Sequence, residues 1–473
     1  MGTISSAFSM ISQSLDSDQS ALNVIANNVA NANTTGYTQE VPNWQQNSTV
    51  SISGTQYGTG ATQTGPTSVR DRVLTERIDQ QQQLASSSST RLSALDTIQA
   101  LFTPDSGSSS AKAGDIGSDL SSFFTSFTSL EANPSSVSLR ESVLSSAQTL
   151  AADISGASSS LSSQRQELDQ EASGVTSQVN ALTTDIAQLN QQIQDTSPTA
   201  DAGTLEDQRE QDVNSLSKLV GVNQITTENN GLSIATTSGA LLVSGGSSNA
   251  MSSGIVNGMT HFFVSNTDIT TGLTTGGGEL GGYLTARDTD IPSVMGSLDQ
   301  LAYSVSTSVN NLNNTGTDLN GATGTVANPL YIFNEPTQVS GSAATMSVIM
   351  TDPSQISAAA LGQGTGDNTN ATAMATLSNT AIVNNQTPTN YFSTFVSELG
   401  ATVSQVQTES TAQSASVTQL TTQNDSLSGV NLNDEASNMT TMERSYQSAA
   451  QVFTMLNNII NSALNLGTQT TVS

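Results

Sequence analysis

The sequence has 473 residues and no cysteine, which excludes disulfides, thiolate metal sites and cysteine nucleophiles. Histidine occurs once, at His261, so a cluster of histidine metal ligands is impossible. Long hydrophobic runs are missing: no window approaches the roughly 18 apolar residues that a membrane-spanning helix needs. Basic residues are scarce. Eleven Lys and Arg stand against 39 Asp and Glu, a net charge of −28, and the first basic residue is Arg70. Such an acidic surface repels phosphate backbones and anionic lipid, so neither nucleic acid nor membrane is expected as a partner. The opening residues carry no basic segment followed by an apolar one, so no secretory signal peptide is expected either. Charged side chains are only 11%, and Ser, Thr, Asn and Gln must cover much of the surface. The length suits about three domains.

Against this polar background the apolar residues are strongly patterned. Ile4, Phe8, Ile11, Leu15, Asp18, Leu22, Ile25, Val29 and Ala32 alternate steps of four and three, a narrow seam with a period of about 3.5 residues. Gly36 offers a left-handed stop, and Pro42 prevents resumption. The C-terminus mirrors it with Met439, Met442, Tyr446, Ala449, Phe453, Leu456, Ile460 and Ala463. Asn431 or Asn433 can cap that helix, with Asp434 and Glu435 in its first turn. Two more seams lie inward, from Leu161 to Ile193 with Arg165 as its one break, and from Phe392 to Leu427. Ser197-Pro198 ends the first of these; segments 70–102, 136–154 and 290–312 also read as helical. One apolar stripe on an isolated helix leaves that face in water, so the terminal helices need partners. Both ends are therefore expected to be mobile in the monomer and to order on assembly.

Between the helices the texture changes. Residues 223–282 carry short β-favouring runs at Leu232–Ile234, Ala240–Val243 and His261–Val264, separated by Gly, Asn and Ser. Leu330–Phe333 and Met346–Met350 suggest further short strands in a turn-rich stretch that runs to about residue 365.

Candidate chemistry is thin. Gly276, Gly278 and Gly281 match G-x-G-x-x-G, but no clear strand precedes them and no long helix follows, so a glycine turn is expected. Asp318-Leu-Asn-Gly321 lacks the repeated acids of a calcium loop and reads as an Asn-Gly turn. His261 sits beside Phe262 and Phe263 with no nucleophile motif nearby. Arg287-Asp288 reads as a buried or interdomain ion pair. No catalytic residue, cofactor or metal site is assigned, and the expectation is a protein that is not an enzyme.

The stretch Ala21-Leu-Asn-Val-Ile-Ala-Asn-Asn-Val-Ala-Asn-Ala-Asn-Thr-Thr-Gly-Tyr37 resembles the N-terminal motif of bacterial flagellar rod, hook and hook-associated proteins. Its carriers are Asn27, Asn28, Ala30, Asn31, Asn33, Gly36 and Tyr37. Ser428 to Ala436, with Tyr446-Gln447 and Ala449-Ala450, is similar to the matching C-terminal block. Gly281 to Asp288, which includes Arg287, then Ile291-Pro292, Leu298 to Ala302 and Gly316 to Gly321 resemble the hook-associated members found at the hook–filament junction. After Tyr37 the chain has Thr38-Gln39-Glu40 where the family often has a serine or threonine followed by arginine. The chain is also somewhat short for the family, which implies a reduced or missing outer domain.

The resemblance implies an α+β protein. Residues 1–36 with 430–473 would pair as a coiled-coil-like inner layer. Residues 37–222, 283–313 and 366–429 would form a second, long-helix layer, and 223–282 and 314–365 small β-rich outer domains. Assembly would rest on Ile4, Phe8, Ile11, Leu15, Leu22, Ile25, Val29, Met439, Met442, Tyr446, Phe453, Leu456 and Ile460. Implied partners are like subunits, the hook protein, the next hook-associated protein or the filament, and an export chaperone at the C-terminal helix. The implied location is the extracellular flagellum, reached without a cleaved signal peptide. A hook or distal rod subunit, and a secreted coiled-coil surface protein, are the rival readings.

Overall fold

A computed structural model describes residues 2–52, 54–103, 116–197 and 201–469. The N-terminal helix α1 (Gly2–Asn31) gives way to a turn at Gly36, whose φ of +76° is the left-handed conformation expected of a glycine stop. Strands β1 (Glu40–Gln46), β2 (Val50–Ile52), β3 (Thr55–Tyr57) and β4 (Ala61–Ser68) then form a ribbon. In it β1 pairs antiparallel with β4, and β2 with β3 beyond them. The sequence pattern gives no sign of this ribbon, because its Thr, Gln, Ser and Gly residues lack an apolar alternation.

Helix α2 (Arg72–Leu101) is capped by Asp71, whose Oδ1 accepts from Val73 N at 3.1 Å and Leu74 N at 3.0 Å. After α3 (Ile116–Ala132) comes α4 (Val137–Thr196), one helix where two were expected. Nothing breaks it, since Gly156 and Gly174 only lower local propensity. Its 60 residues span about 90 Å. It ends by Thr196 as expected, although Pro198 lies outside the described residues.

Helix α5 (Gly203–Leu219) leads into the antiparallel strands β5 (Val222–Thr226), β6 (Leu232–Thr236), β7 (Leu241–Ser244), β8 (Ser247–Ser248), β9 (Met251–Val256), β10 (Met259–Val264) and β11 (Thr267–Asp268). They form two sheets, ordered β5-β6-β7-β8 and β11-β10-β9. Helices α6 (Thr270–Gly276) and α7 (Gly278–Thr285) follow, then a π-helical turn (Ala286–Asp290) that runs directly into α8 (Ile291–Thr315). The short α9 (Ser342–Thr345) and α10 (Thr369–Thr376) precede the long α11 (Pro388–Ser428) and the last helix, α12 (Leu432–Gln469). The chain is α+β.

Two hydrophobic cores share α4. The first joins α2, α3, the N-terminal half of α4, α8 and α11 around Ile98, Phe123, Phe127, Leu150 and Leu301. The second packs Ala172, Val175, Val179 and Ile186 of α4 against α5, α7 and the strands through Leu216, Ile234, Phe262 and Leu280. The stretch 314–365, expected as β-rich and outer, differs. It is largely irregular, with isolated bridges Thr317–Ala359 and Phe333–Val348. Its Ile332, Phe333, Met346, Met350 and Ile356 are buried in the first core. Its apolar runs serve burial, which short apolar segments satisfy without strand pairing.

Candidate assembly interface

The two chain ends lie side by side, and their contacts run in reverse order. Phe8 stacks on Phe453 with ring centroids 4.5 Å apart, Asp18 Oδ2 accepts from Ser445 Oγ at 2.9 Å, and Asn28 Nδ2 donates to Glu435 Oε1 at 3.0 Å. The helices are therefore antiparallel. On another flank α1 receives the ribbon: Asn47 Nδ2 donates to Gln13 Oε1 at 3.1 Å, and Gly60 backs onto Met10. Asn431 caps α12 as expected, its Oδ1 accepting from Asn433 N at 3.0 Å.

At the root of these elements the Asn-rich turn forms a polar knot. Asn28 is buried; its Oδ1 accepts from Tyr37 Oη at 2.8 Å and Glu40 N at 3.0 Å, while its Nδ2 reaches Glu40 O at 2.8 Å as well as Glu435. Burial, with Glu40, Asp207 and Glu435 nearby, pushes the Tyr37 hydroxyl up to about 12. Gln39 Nε2 donates to the same Glu435 Oε1 at 2.7 Å. Glu435 Oε2 is buried with no hydrogen-bond partner among the described residues. Asn31 bonds back to Asn27 O at 3.1 Å and Oδ1 at 2.9 Å, whereas Ala30 and Asn33 are exposed.

The expected seam is only partly the observed one. Ile25 is buried, and Phe8, Ile11, Leu15 and Leu22 are half-buried, as are Met439, Met442, Phe453, Leu456 and Ile460. Ile4, Val29 and Tyr446 remain 36%, 39% and 38% exposed. Asp18 of the seam is buried, and Ser17, Ala21, Val24 and Asn28 outside it are covered as well, because α1 has two neighbours and its covered stripe broadens beyond a single seam. A second apolar stripe on α12, Val452, Met455 and Ile459, is exposed, as is Leu464 farther along the helix, and escaped the sequence reading.

A charge pattern accompanies it. None of the 50 charged side chains implied by 11 basic and 39 acidic residues falls in 1–15, 41–69 or 445–473. The outer ends of the terminal helix pair and nearly all of its ribbon are thus free of charge on a strongly acidic molecule. That signal was readable from the sequence as runs free of charge.

The remaining motif residues are structural. Arg287 is buried in the π-helical turn; its Nη2 donates to Asp288 Oδ2 at 2.8 Å, its Nη1 to Thr260 O at 2.9 Å and to Asp169. Arg165 Nε donates to the Arg287 carbonyl at 3.1 Å, and Arg91 holds Asp290 through two bonds of 2.8 Å. Ile291 is buried, and Pro292 opens α8. A Cβ on Gly278 would stand 2.5 Å from Val220 N, so these glycines permit close backbone packing rather than phosphate binding. Asp318 Oδ1 accepts from Asn320 N and Ala322 N at 2.8 and 2.7 Å, closing a turn. His261 Nδ1 lies 2.7 Å from Asp268 Oδ2 on the exposed side of β10. Among the described residues no group of three or more His, Asp or Glu could hold a metal, and no helix is long and apolar enough to cross a membrane.

Residues 105–326 match the family model of the flagellar hook-associated protein FlgK helical domain, and residues 15–38 that of the flagella basal body rod protein. The chain is 25% identical to flagellar hook-associated protein 1 of Salmonella typhimurium, across 96% of this chain and 98% of the relative. It is likewise 25% identical to flagellar hook-associated protein 1 of Bacillus subtilis, across 96% of each. Among solved structures, the flagellar hook junction protein FlgK from Burkholderia pseudomallei shares the fold with a TM-score of 0.64 at 18% identity, covering 75% of this chain and 100% of that one.

Proposed function

We propose that this chain is a member of the flagellar hook-associated protein 1 family and a structural adapter joining hook to filament in the bacterial flagellum. Its terminal helices pack against equivalent helices of like subunits and of the hook below, and its distal face receives the next hook-associated protein or the filament. The observation that carries this reading is the α1–α12 pair, which presents Val452, Met455, Ile459 and Leu464 to solvent at an end of the chain without charge. Bodies that each carry a large negative charge repel one another, while the charge-free ends of the two helices can meet at close range. No catalysis is assigned, since positioning neighbours needs none. Until assembly, an export chaperone covers the C-terminal helix. The chain leaves through the flagellum's own export channel without a cleaved signal peptide, and it acts outside the cell.

A rod or hook subunit is the second reading, favoured by the match of residues 15–38 to the rod-protein family. The match of 105–326 to the hook-associated helical domain favours the junction. Deleting residues 432–473 removes one partner of the pair and leaves both cores intact. The truncated chain is expected to stay soluble and helical by circular dichroism, yet to leave cells with normal hooks and no filaments. Normal filaments built on the truncated chain would overturn the assignment.

A further inference from the structure

The sequence contains three Asn-Gly steps, at Asn230, Asn257 and Asn320. Glycine has no Cβ, so its amide nitrogen can close on the side-chain carbonyl carbon of the asparagine before it. The fold treats the three steps differently. Asn230 Nδ2 donates to Ser197 Oγ at 3.4 Å, its carbonyl accepts from Arg209 Nη1 at 2.6 Å, and the Gly231 amide donates to Glu228 O at 3.1 Å. Asn320 Nδ2 donates to Ser354 Oγ at 2.9 Å, and the Gly321 amide to Asp318 O at 3.2 Å. At both steps the attacking nitrogen is tied to the backbone and the side chain under attack is held.

Asn257 has neither restraint. It lies at the tip of the β9–β10 hairpin, where Val256 pairs with Met259 across a two-residue turn. Its φ is +51° and that of Gly258 is +82°, the left-handed pair of a type I′ turn. Both residues are exposed, and a Cβ on Gly258 would meet no atom within 4 Å. Among the described residues neither the Asn257 side chain nor the Gly258 amide has a hydrogen-bond partner. Strand β9 is the edge of its sheet, so the tip can fray without unfolding the lobe. From Asn229 to Thr267 the chain also has no Asp, Glu, Lys or Arg.

We propose that Asn257 is a site of spontaneous modification, where the hairpin tip converts to aspartate and isoaspartate and this charge-free stretch gains a carboxylate. The Gly258 nitrogen, having lost its proton to hydroxide, bonds to Asn257 Cγ. The Cγ–Nδ2 bond breaks, and ammonia leaves with a proton returned by water. A second water then opens the cyclic imide. Opening at Cγ gives aspartate; opening at the main-chain carbonyl gives isoaspartate, whose backbone runs through Cβ and Cγ. Overall one water is consumed and one ammonia released, with no change of oxidation state. The isoaspartate form has one main-chain carbon more than a two-residue turn accommodates, so it unpins the β9–β10 register.

Peptide mass mapping of the purified full chain, held at mildly alkaline pH, follows each conversion as a gain of one mass unit. Breaking a protecting backbone hydrogen bond must precede attack at the other two steps, so Asn257 is expected to convert about tenfold faster than Asn230 or Asn320. In guanidinium chloride the three are expected to convert at similar rates, because only the fold separates them. Asn257→Gly keeps a left-handed turn and is expected to abolish the early conversion. Isoaspartate peptides from the converted fraction are expected to show lost amide-exchange protection across β9 and β10. Equal rates in the native chain, a slower Asn257, or a lead for Asn257 that persists in denaturant overturns the proposal. So does a converted hairpin with unchanged protection. The chemistry needs only water, so its outcome is separate from that of the adapter reading.

Discussion

The guanidinium groups of Arg70, Arg140, Arg209 and Arg287 are sunk into the body, where they bind carboxylates or carbonyl oxygens; Arg140, for example, holds Pro134 O at 2.6 Å. Asp79 is a buried carboxylate without such a brace. Its oxygens accept only amides, from Asn214 Nδ2 at 3.0 Å and Gln224 Nε2 at 2.8 Å. Burial outweighs those bonds and pushes its carboxyl up to about 7, with Glu210 and Glu76 adding to the rise. The native state therefore holds a proton here that the unfolded chain has already released, between about pH 4 and pH 7. Stability from this group is present below that window and lost as pH rises through 7. Asp79→Asn removes the titration and keeps the shape. It is expected to raise the melting temperature at pH 8 by several degrees and to change little at pH 5. Equal shifts at the two pH values would refute this account.

At the scale of elements, helices were legible where a single face repeats. The seams of α1, α11 and α12 are plain in the spacing of Phe8, Val403 and Phe453 with their neighbours, and β6, β7 and β10 follow their apolar runs. What failed had no local signal. The ribbon is built from residues whose pairing depends on α1 beside it, and Asn28 finds Glu435 from 407 positions away. Val452 and Met455 were missed because only the position of α1 tells which stripe of α12 is covered. The sequence reading left a gap between 154 and 161 in what is one helix; Gly156 lies exposed within that gap, with open space around its Cα. Gly156→Ala meets no atom within 4 Å and should stabilise the helix by roughly 0.5–1 kcal/mol. A rise in the urea midpoint at unchanged slope is the expected readout; a fall would mean that α4 bends there in solution.

For the whole molecule, α4 makes two cores into one body. Leu168 belongs to the first core and Ala172 to the second, and the π-helical turn ties α2 and β10 to α4 close to the same level through Arg91–Asp290 and Arg287–Asp169. A load on the strand-bearing lobe is thus carried into the helical lobe along a continuous helix and two ion pairs. Intact, the body is expected to unfold in a single calorimetric transition, with calorimetric and van't Hoff enthalpies in agreement. Gly174, exposed and just past the crossing from one core to the other, is where that coupling can be cut. Gly174→Pro removes one backbone hydrogen bond and clashes with the carbonyl four residues back, at a cost of about 3 kcal/mol. The expected outcome is two resolved transitions, with the lobe of β5–β11 melting first because its strands are short and its core the smaller. If the proline variant instead melts in one transition displaced as a whole, the lobes are coupled through their ion pairs and not through the backbone of α4.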